Sequence, residues 1–207
     1  MFRALTTRRR SALLAAGALL AFVACRSKET QTISDSVARM DTAPAAATPT
    51  PAPATLTDAQ IAHIAITANS LDSAAGEFAK ANAKNAQVKE FAQTMIREHG
   101  EVNKKANALV TKLALVPEDN DGSHALQADA DQARTTLIGK SGADFDRAYI
   151  DHEVQIHQSV LDQLDQKLIP GAQNTELRSL LQTVRPMIAG HLDRAKRIQI
   201  AVATATQ

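Results

Sequence analysis

Tryptophan is missing from the chain, tyrosine occurs once, and aromatic residues make up only 3% of it. That shortage removes base-stacking platforms and the aromatic clefts that hold sugars. The single cysteine excludes an internal disulfide and any multi-cysteine zinc or iron–sulfur site. Net charge is scarce too: +1 overall, and about −3 once residues 1–24, with Arg3, Arg8, Arg9 and Arg10 and no acid, are set aside. Such a balance lacks the basic footprint of a nucleic-acid binder. No Ser-His-Asp, phosphate-loop or nucleotide-binding pattern occurs, so hydrolase and kinase chemistry find no support. Hydrophobic residues still reach 44% of 207, enough for one domain with a real core.

The first segment reads as an address. A basic stretch precedes residues 12–24, an uncharged apolar run. The run is too short to span a hydrocarbon layer of about 30 Å, and its flanks are those of a secretory signal over residues 1–24. Cys25, the only cysteine, follows directly behind Ala24. This resembles the lipobox of bacterial lipoproteins, in which the cysteine is lipidated and becomes the new N-terminus, although Phe22 stands where leucine is usual. An ordinary signal with a chance cysteine is the alternative. Acyl chains on Cys25 would make a membrane the partner without a transmembrane helix. Arg26 rather than Asp after the cysteine resembles the outer-membrane default, which places the rest of the chain in the periplasm. Arg8-Arg9-Arg10 lacks the remainder of a twin-arginine signal and reads as a plain charged leader.

Residues 25–56 show no apolar periodicity, and residues 42–55 contain only Thr, Ala and Pro, with Pro44, Pro49, Pro51 and Pro53. Proline fixes φ and removes donors, so a disordered Ala/Pro/Thr-rich tether is expected. Fully extended at ~3.1 Å per residue, it would reach roughly 90 Å.

From Thr57 onward the pattern is helical. Thr57-Asp58-Ala59-Gln60 reads as a capping box. Ile61, Ile64, Ala68, Leu71, Ala75 and Phe78 then recur at three- and four-residue spacing and predict a helix over 58–83. Val88, Phe91, Met95, Val102, Leu109 and Leu113 predict a second over 86–114, ended by Pro117 and the Asn120-Asp121-Gly122 turn. A shorter helix capped by Ser123 is expected over 124–138. A long one follows over 143–169, broken by Pro170-Gly171, and a last over 175–203, capped by Asn174 with Pro186 inside it. β-branched alternation is absent. The expected fold is all-α, over residues 57–205. Two antiparallel hairpins form a four-helix bundle, and the 115–142 segment with its short helix is long enough to cross from one end to the other. That is the connectivity of ferritin-like folds; the alternative is an up-down-up-down bundle with a fifth helix outside. Proline at 186 should kink the last helix, either aiming His191 or as a tolerated bend.

Polar residues on the buried stripes carry the chemistry. On the second helix Glu98 and His99 flank the stripe on opposite borders. On the third long helix Glu153 falls inside the arc and His157 near its inner border, four residues apart and so on one face. His191 lies within the arc of the last helix, and Asp72 at the edge of the first. Counted from the hairpin turns, all lie near mid-bundle. Three imidazoles and one to three carboxylates of this kind suit Fe, Mn, Cu or Zn. Tyr149 points near the same side, as a donor to a carboxylate or as a half-buried ring with a wet hydroxyl. The alternative for the whole set is structural: a His99–Asp72 or His157–Glu153 hydrogen bond that satisfies a buried imidazole. His63, His124 and His152 have no central placement.

Three segments, VKEFAQTMIREH (88–99), FDRAYIDHEVQIH (145–157) and RPMIAGHLDRA (185–195), together resemble the domain of unknown function 4142 family. The likeness covers about residues 57–203. It implies a ferritin-like bundle in the bacterial envelope. By likeness, His99, Tyr149, His157, Pro186 and His191 fill the family's recurring positions, and Asp72 stands where an acid, more often Glu, is usual. Glu153 stands where the family often has an uncharged residue. The resemblance brings no established reaction. Nor does it make a ferritin, since adjacent Glu98 and His99 cannot both face inward and no Glu accompanies His191. Three readings therefore stay open: an envelope lipoprotein holding a metal ion at a His/carboxylate cluster in a stress-related role, a metal-dependent ferritin-like oxidoreductase, and a metal-free module for a protein partner or homo-oligomer.

Overall fold

The computed structural model of the protein describes residues 55–204; the expected signal, Cys25 and all but the end of the expected tether lie outside them. Every regular element described is helical: α1 (Asp58–Asn82), α2 (Ala86–Lys112), α3 (Asp121–Ile138), α4 (Gly142–Gln163), α5 (Ile169–Gly171) and α6 (Thr175–Thr204). A π-helical turn, Leu164–Leu168, joins α4 to α5. No described helix is long and apolar enough to cross a membrane.

The starts are set by side-chain caps. Thr57 Oγ1 accepts from Gln60 N at 3.2 Å, while Gln60 Oε1 accepts from Thr57 N at 3.1 Å, completing the capping box. Asn85 and Asn174 cap α2 and α6 through their side-chain oxygens. The start of α3 differs from expectation. Asn120, not Ser123, is the cap, and Ser123 is the reciprocal partner three residues in. Gly122 is therefore inside the helix, not in the turn before it. Helix α2 ends two residues early through Ala114, at φ 50°, with Leu115 N donating to Val110 O and Ala114 N to Thr111 O. That is a Schellman closure, which satisfies the last carbonyls without proline.

Pro170 does not terminate the third long helix at once. It lacks an N–H and its ring crowds the carbonyl one turn back, so the helix widens upstream. Ile169 N there donates to Leu164 O, and the chain stays helical to Gly171. Helix α6 runs unbroken through Pro186.

Helices α1 and α2 form one hairpin, α4 and α6 the other. Helix α3 packs on α1 and α4. It runs parallel to α1: Asn120 Nδ2 donates to Gln60 O near the start of α1, and Arg134 lies over Phe78 near its end. Helix α4 therefore begins where α2 begins, and the two run the same way. This is the single-crossover connectivity, with α3 as the crossover.

Two carboxylates lock the hairpins together. Asp146, buried at the start of α4, accepts from Lys84 N at 2.9 Å and Asn85 N at 2.8 Å, in the α1–α2 turn. At the other end Asp58, at the start of α1, accepts from Gln173 N at 2.7 Å and Asn174 N at 2.8 Å, in the turn before α6. Between them the apolar core forms two clusters. One gathers Ile61, Ile64, Leu164, Leu168, Leu181 and Ile188. The other gathers Val88, Phe91, Met95, Phe145, Tyr149 and Ile198. At Gly76 α1 lies so near α2 that a Cβ would fall 2.9 Å from Ala92 O.

Asp146→Ala would leave two turn N–H groups without their charged acceptor, and should cost about 1.5–3 kcal/mol. Urea unfolding checks this, and a variant within 0.5 kcal/mol of the parent, roughly the scale of a neutral surface change, would show that the clasp carries no weight.

Candidate functional site

Between the two apolar clusters the bundle becomes polar. His99 comes from α2, His157 and Glu153 from α4, His191 from α6 and Asp72 from α1. The three rings and Glu153 are buried, with Glu153 and His157 at 1% exposure, His99 at 3% and His191 at 5%, and Asp72 is nearly so, its side chain at 10%. The helical spacings explain the pairs: Glu153 and His157 are one turn apart on one face, as are Asn69 and Asp72. The three rings face one another, with centroids 5.1 Å apart for His99–His191, 5.4 Å for His157–His191 and 5.6 Å for His99–His157. One ligand atom from each lies within 4.8 Å of the others. Asp72, Glu153 and His157 form a second group of the same tightness, sharing His157.

Each ring has one nitrogen committed outward. His99 Nδ1 lies 2.9 Å from Asn69 Oδ1. The Asn69 amide nitrogen donates to Ala65 O at 2.7 Å, which fixes its oxygen toward the ring. His99 Nδ1 is therefore the donor. His157 Nδ1 lies 2.9 Å from the Glu153 carbonyl, which can only accept. His191 Nε2 donates to Glu98 Oε2 at 2.7 Å. The other nitrogens, His99 Nε2, His157 Nε2 and His191 Nδ1, are buried without a hydrogen-bond partner. In neutral rings with those donors, all three bear lone pairs. Asp72 Oδ2 lies 3.3 Å from His99 Nε2 and 3.5 Å from His157 Nε2. Its other oxygen, both oxygens of Glu153 and the Tyr149 hydroxyl are likewise buried without partners.

Electrostatics divide the imidazoles. Burial drives His99 down to about 4, with the Asp72 charge resisting and the other two rings assisting. Burial also lowers His191, against its Glu98 hydrogen bond. His157 goes the other way: burial opposes its charge, but Asp72 and Glu153 hold it up at about 9. Burial and the Asp72 charge raise Glu153. Burial raises Glu98, but its bonds to His191 and Arg97 outweigh that and leave it lowered. Tyr149 is pushed well up by burial and by the Glu153 and Asp72 charges.

Sequence reasoning brought His99, His157, His191, Asp72 and Glu153 to one layer, and the structure places them there. Glu98, expected at the border of its stripe as a residue supporting the cluster from outside, lies beside the layer and is the outer partner of His191. Tyr149 departs from the half-buried expectation: it is wholly buried, its hydroxyl shut away from solvent with its ring edge toward Phe91. The His99–Asp72 contact is present, but without hydrogen-bond geometry at His99 Nε2. His63 and His124 sit near Asp119, and His152 near Asp129, away from the centre. Asn69 was missed. Its signal was available: a lone amide on the apolar stripe of α1, one turn before Asp72.

A family model described as a domain of unknown function (DUF4142) matches residues 42–198. No curated protein matches the chain, and no solved structure does.

The pH dependence of the metal-free fold follows from these shifts. Between about 4 and the ordinary histidine value of 6.5, the unfolded chain holds a proton that buried His99 refuses, so stability rises with pH. His191 acts in the same sense, and raised Glu153 in the opposite one. Between 6.5 and about 9, folded His157 keeps a proton that the unfolded chain has lost, so stability falls by at most about 1.4 kcal/mol per pH unit from this residue. Thermal unfolding of chelator-treated protein should peak near pH 6.5, and His157→Gln should flatten the alkaline limb. A parent whose stability keeps rising to pH 9 contradicts this assignment.

Proposed function

We propose for this chain, which belongs to the domain of unknown function 4142 family, that its bundle holds one divalent transition-metal ion through His99, His157, His191 and Asp72. The observation that carries the reading is the direction of the ring hydrogens. Asn69, the Glu153 carbonyl and Glu98 each take the outer N–H of one imidazole, which leaves the three remaining ring nitrogens as a buried group, with Asp72 Oδ2 3.3 Å from that of His99 and 3.5 Å from that of His157. Metal-bound histidines are oriented in this way by acceptors behind them. Bonds of about 2.1 Å set tetrahedral ligand atoms about 3.4 Å apart, so small side-chain shifts would close the set. Nitrogen and oxygen donors suit Fe, Mn, Cu or Zn. The basic leader, the short apolar run and Cys25 support a lipoprotein of the cell envelope, tethered to the outer membrane with the bundle in the periplasm. Binding in a stress-related role is the simplest activity consistent with this set. Redox catalysis needs, in addition, a redox metal and an open ligand position.

A metal-free reading has its own supporting observation. His157 at about 9 is a cation between Asp72 and Glu153 near neutrality, and a proton alone would hold the layer together. The two readings make opposite claims about metal uptake. A metal would displace that proton, so affinity should climb about tenfold per pH unit below about 9.

Purified protein incubated with Fe(II), Mn(II), Cu(II) or Zn(II) should retain close to one equivalent of at least one of them by elemental mass spectrometry. His99→Ala/His157→Ala/His191→Ala, kept helical by circular dichroism, should retain none. Asn69→Ala, which removes an outer acceptor but no ligand, should weaken binding about 10–100-fold. Retention of none of the four metals by the parent would leave the proton-held layer as the correct reading.

A further inference from the structure

Helix α3 is an unusual lid. Its buried large side chains, Leu126 and Leu137, lie toward its two ends. Between them the same stripe presents only Ala130 and Ala133, at four- and three-residue steps. The α1 face that lines it mixes Ala65, Ala68 and Ala75 with Leu71 and Phe78. Small residues on both sides leave a gap, and a cavity of about 280 Å³ lies beneath α3. Its walls are apolar, including Leu71, Phe78, Ile156, Val160, Leu164 and Leu168. The last two belong to the π-helical turn, a distortion frequent beside functional sites. Asp129, Asp131 and Arg134 on α3 give it a polar rim. Its inner end is Asp72, His99, Glu153 and His157, so the cavity opens onto the polar layer from the α1–α3–α4 side.

We propose that this cavity binds a small apolar molecule carrying a single neutral hydroxyl, an alcohol or phenol, with the hydroxyl at the inner end against Asp72 and Glu153. The volume is near the low end for small-molecule sites, and the apolar lining with a few converging polar groups is their usual make-up. The head group follows from what the inner end lacks. Asp72 Oδ1 and Glu153 Oε1 are buried acceptors with no donor, and Glu153 Oε2 has only the His157 Nδ1 contact at 3.3 Å. A hydroxyl supplies one at little desolvation cost. A carboxylate brings like charge and no donor, and an ammonium would set a second cation beside the His157 ring, which already lies between the two carboxylates. The inference extends the metal-site reading without depending on it, since the cavity and Glu153, which that reading does not use as a ligand, are present without a metal.

Isothermal titration of 1-octanol into the purified protein, with and without zinc, tests this. Saturable one-site binding is expected, weakened at least about tenfold in Ala133→Leu, which fills the gap. Ala130→Leu serves the same purpose should Ala133→Leu fail to fold. Weaker binding of n-octane, octanoate and octylamine is expected. Any of them binding as tightly as 1-octanol overturns the hydroxyl assignment. Non-saturable uptake of 1-octanol, or binding untouched by both leucine variants, overturns the site. Octanol binding retained by protein that takes up no metal sustains the cavity and removes only the metal reading.

Discussion

Two carboxylate clasps set everything else in register. Asp58 and Asp146 each begin a long helix and each accept two backbone N–H groups from the turn of the opposite hairpin. Helix hairpins packed through Ala, Leu and Ile can slide by a turn at modest cost, because apolar contact is not directional. Paired charge-assisted hydrogen bonds at both ends do not permit that slide. A shift of one helical turn is about 5.4 Å. It would carry His157 and His191 past His99, whose ring centroids they now approach to 5.6 and 5.1 Å. The central layer therefore depends on interactions made at the far ends of the molecule.

Within that layer the decisive constraint is which way each ring hydrogen points. A buried imidazole left to itself would turn one nitrogen to the nearest acceptor and the other to the nearest donor. Here all three turn one nitrogen to an acceptor on the outside, and the inner nitrogens have no hydrogen-bond partner. The acceptors differ in kind: an amide oxygen, a backbone carbonyl and a carboxylate. Three different local solutions lead to the same polarity. Such convergence of acceptors onto one point has an electrostatic cost, which the proton on His157 relieves only in part, since one cation faces Asp72, Glu153 and two further lone pairs.

Much of this was legible in the chain, because it rests on periodicity. The helix limits, the capping box at Thr57 and Gln60, the Asn174 cap, the crossover and the common height of Asp72, His99, Glu153, His157 and His191 follow from 3.6-residue spacing and hairpin length. What was not legible is tertiary. The Asp146 and Asp58 clasps join residues 61 to 116 positions apart, and neither Asp departs from what a helix start would carry anyway. The depth of Tyr149 depends on Phe91 and Phe145 closing over it, and a helical wheel gives direction but not cover. The π-helical turn is a compromise between Pro170 and the burial of Leu164 and Leu168, which only packing decides. Asn69 was visible but was passed over because an amide is not itself a ligand.

The strongest physical argument for function is what the layer displaces. The apolar core is cut into two clusters, one on each side of it. A bundle of this length filled with leucine at positions 72, 99, 153, 157 and 191 would join them and remove most of the buried polar atoms that have no partner. Burying carboxylates and imidazoles at 1–5% exposure is instead a standing penalty, since each buried unpaired polar group costs about 1–3 kcal/mol. The same economy is missing under α3, where Ala130 and Ala133 stand opposite Ala68 and Ala75 and larger residues would seal the gap. Both departures occur at the same height and open onto each other through Asp72, His99, Glu153 and His157. A fold optimised only for stability has reason to remove each of them separately. The two share Asp72, His99, Glu153 and His157, and the metal ion and the alcohol proposed for them would each offset part of that cost.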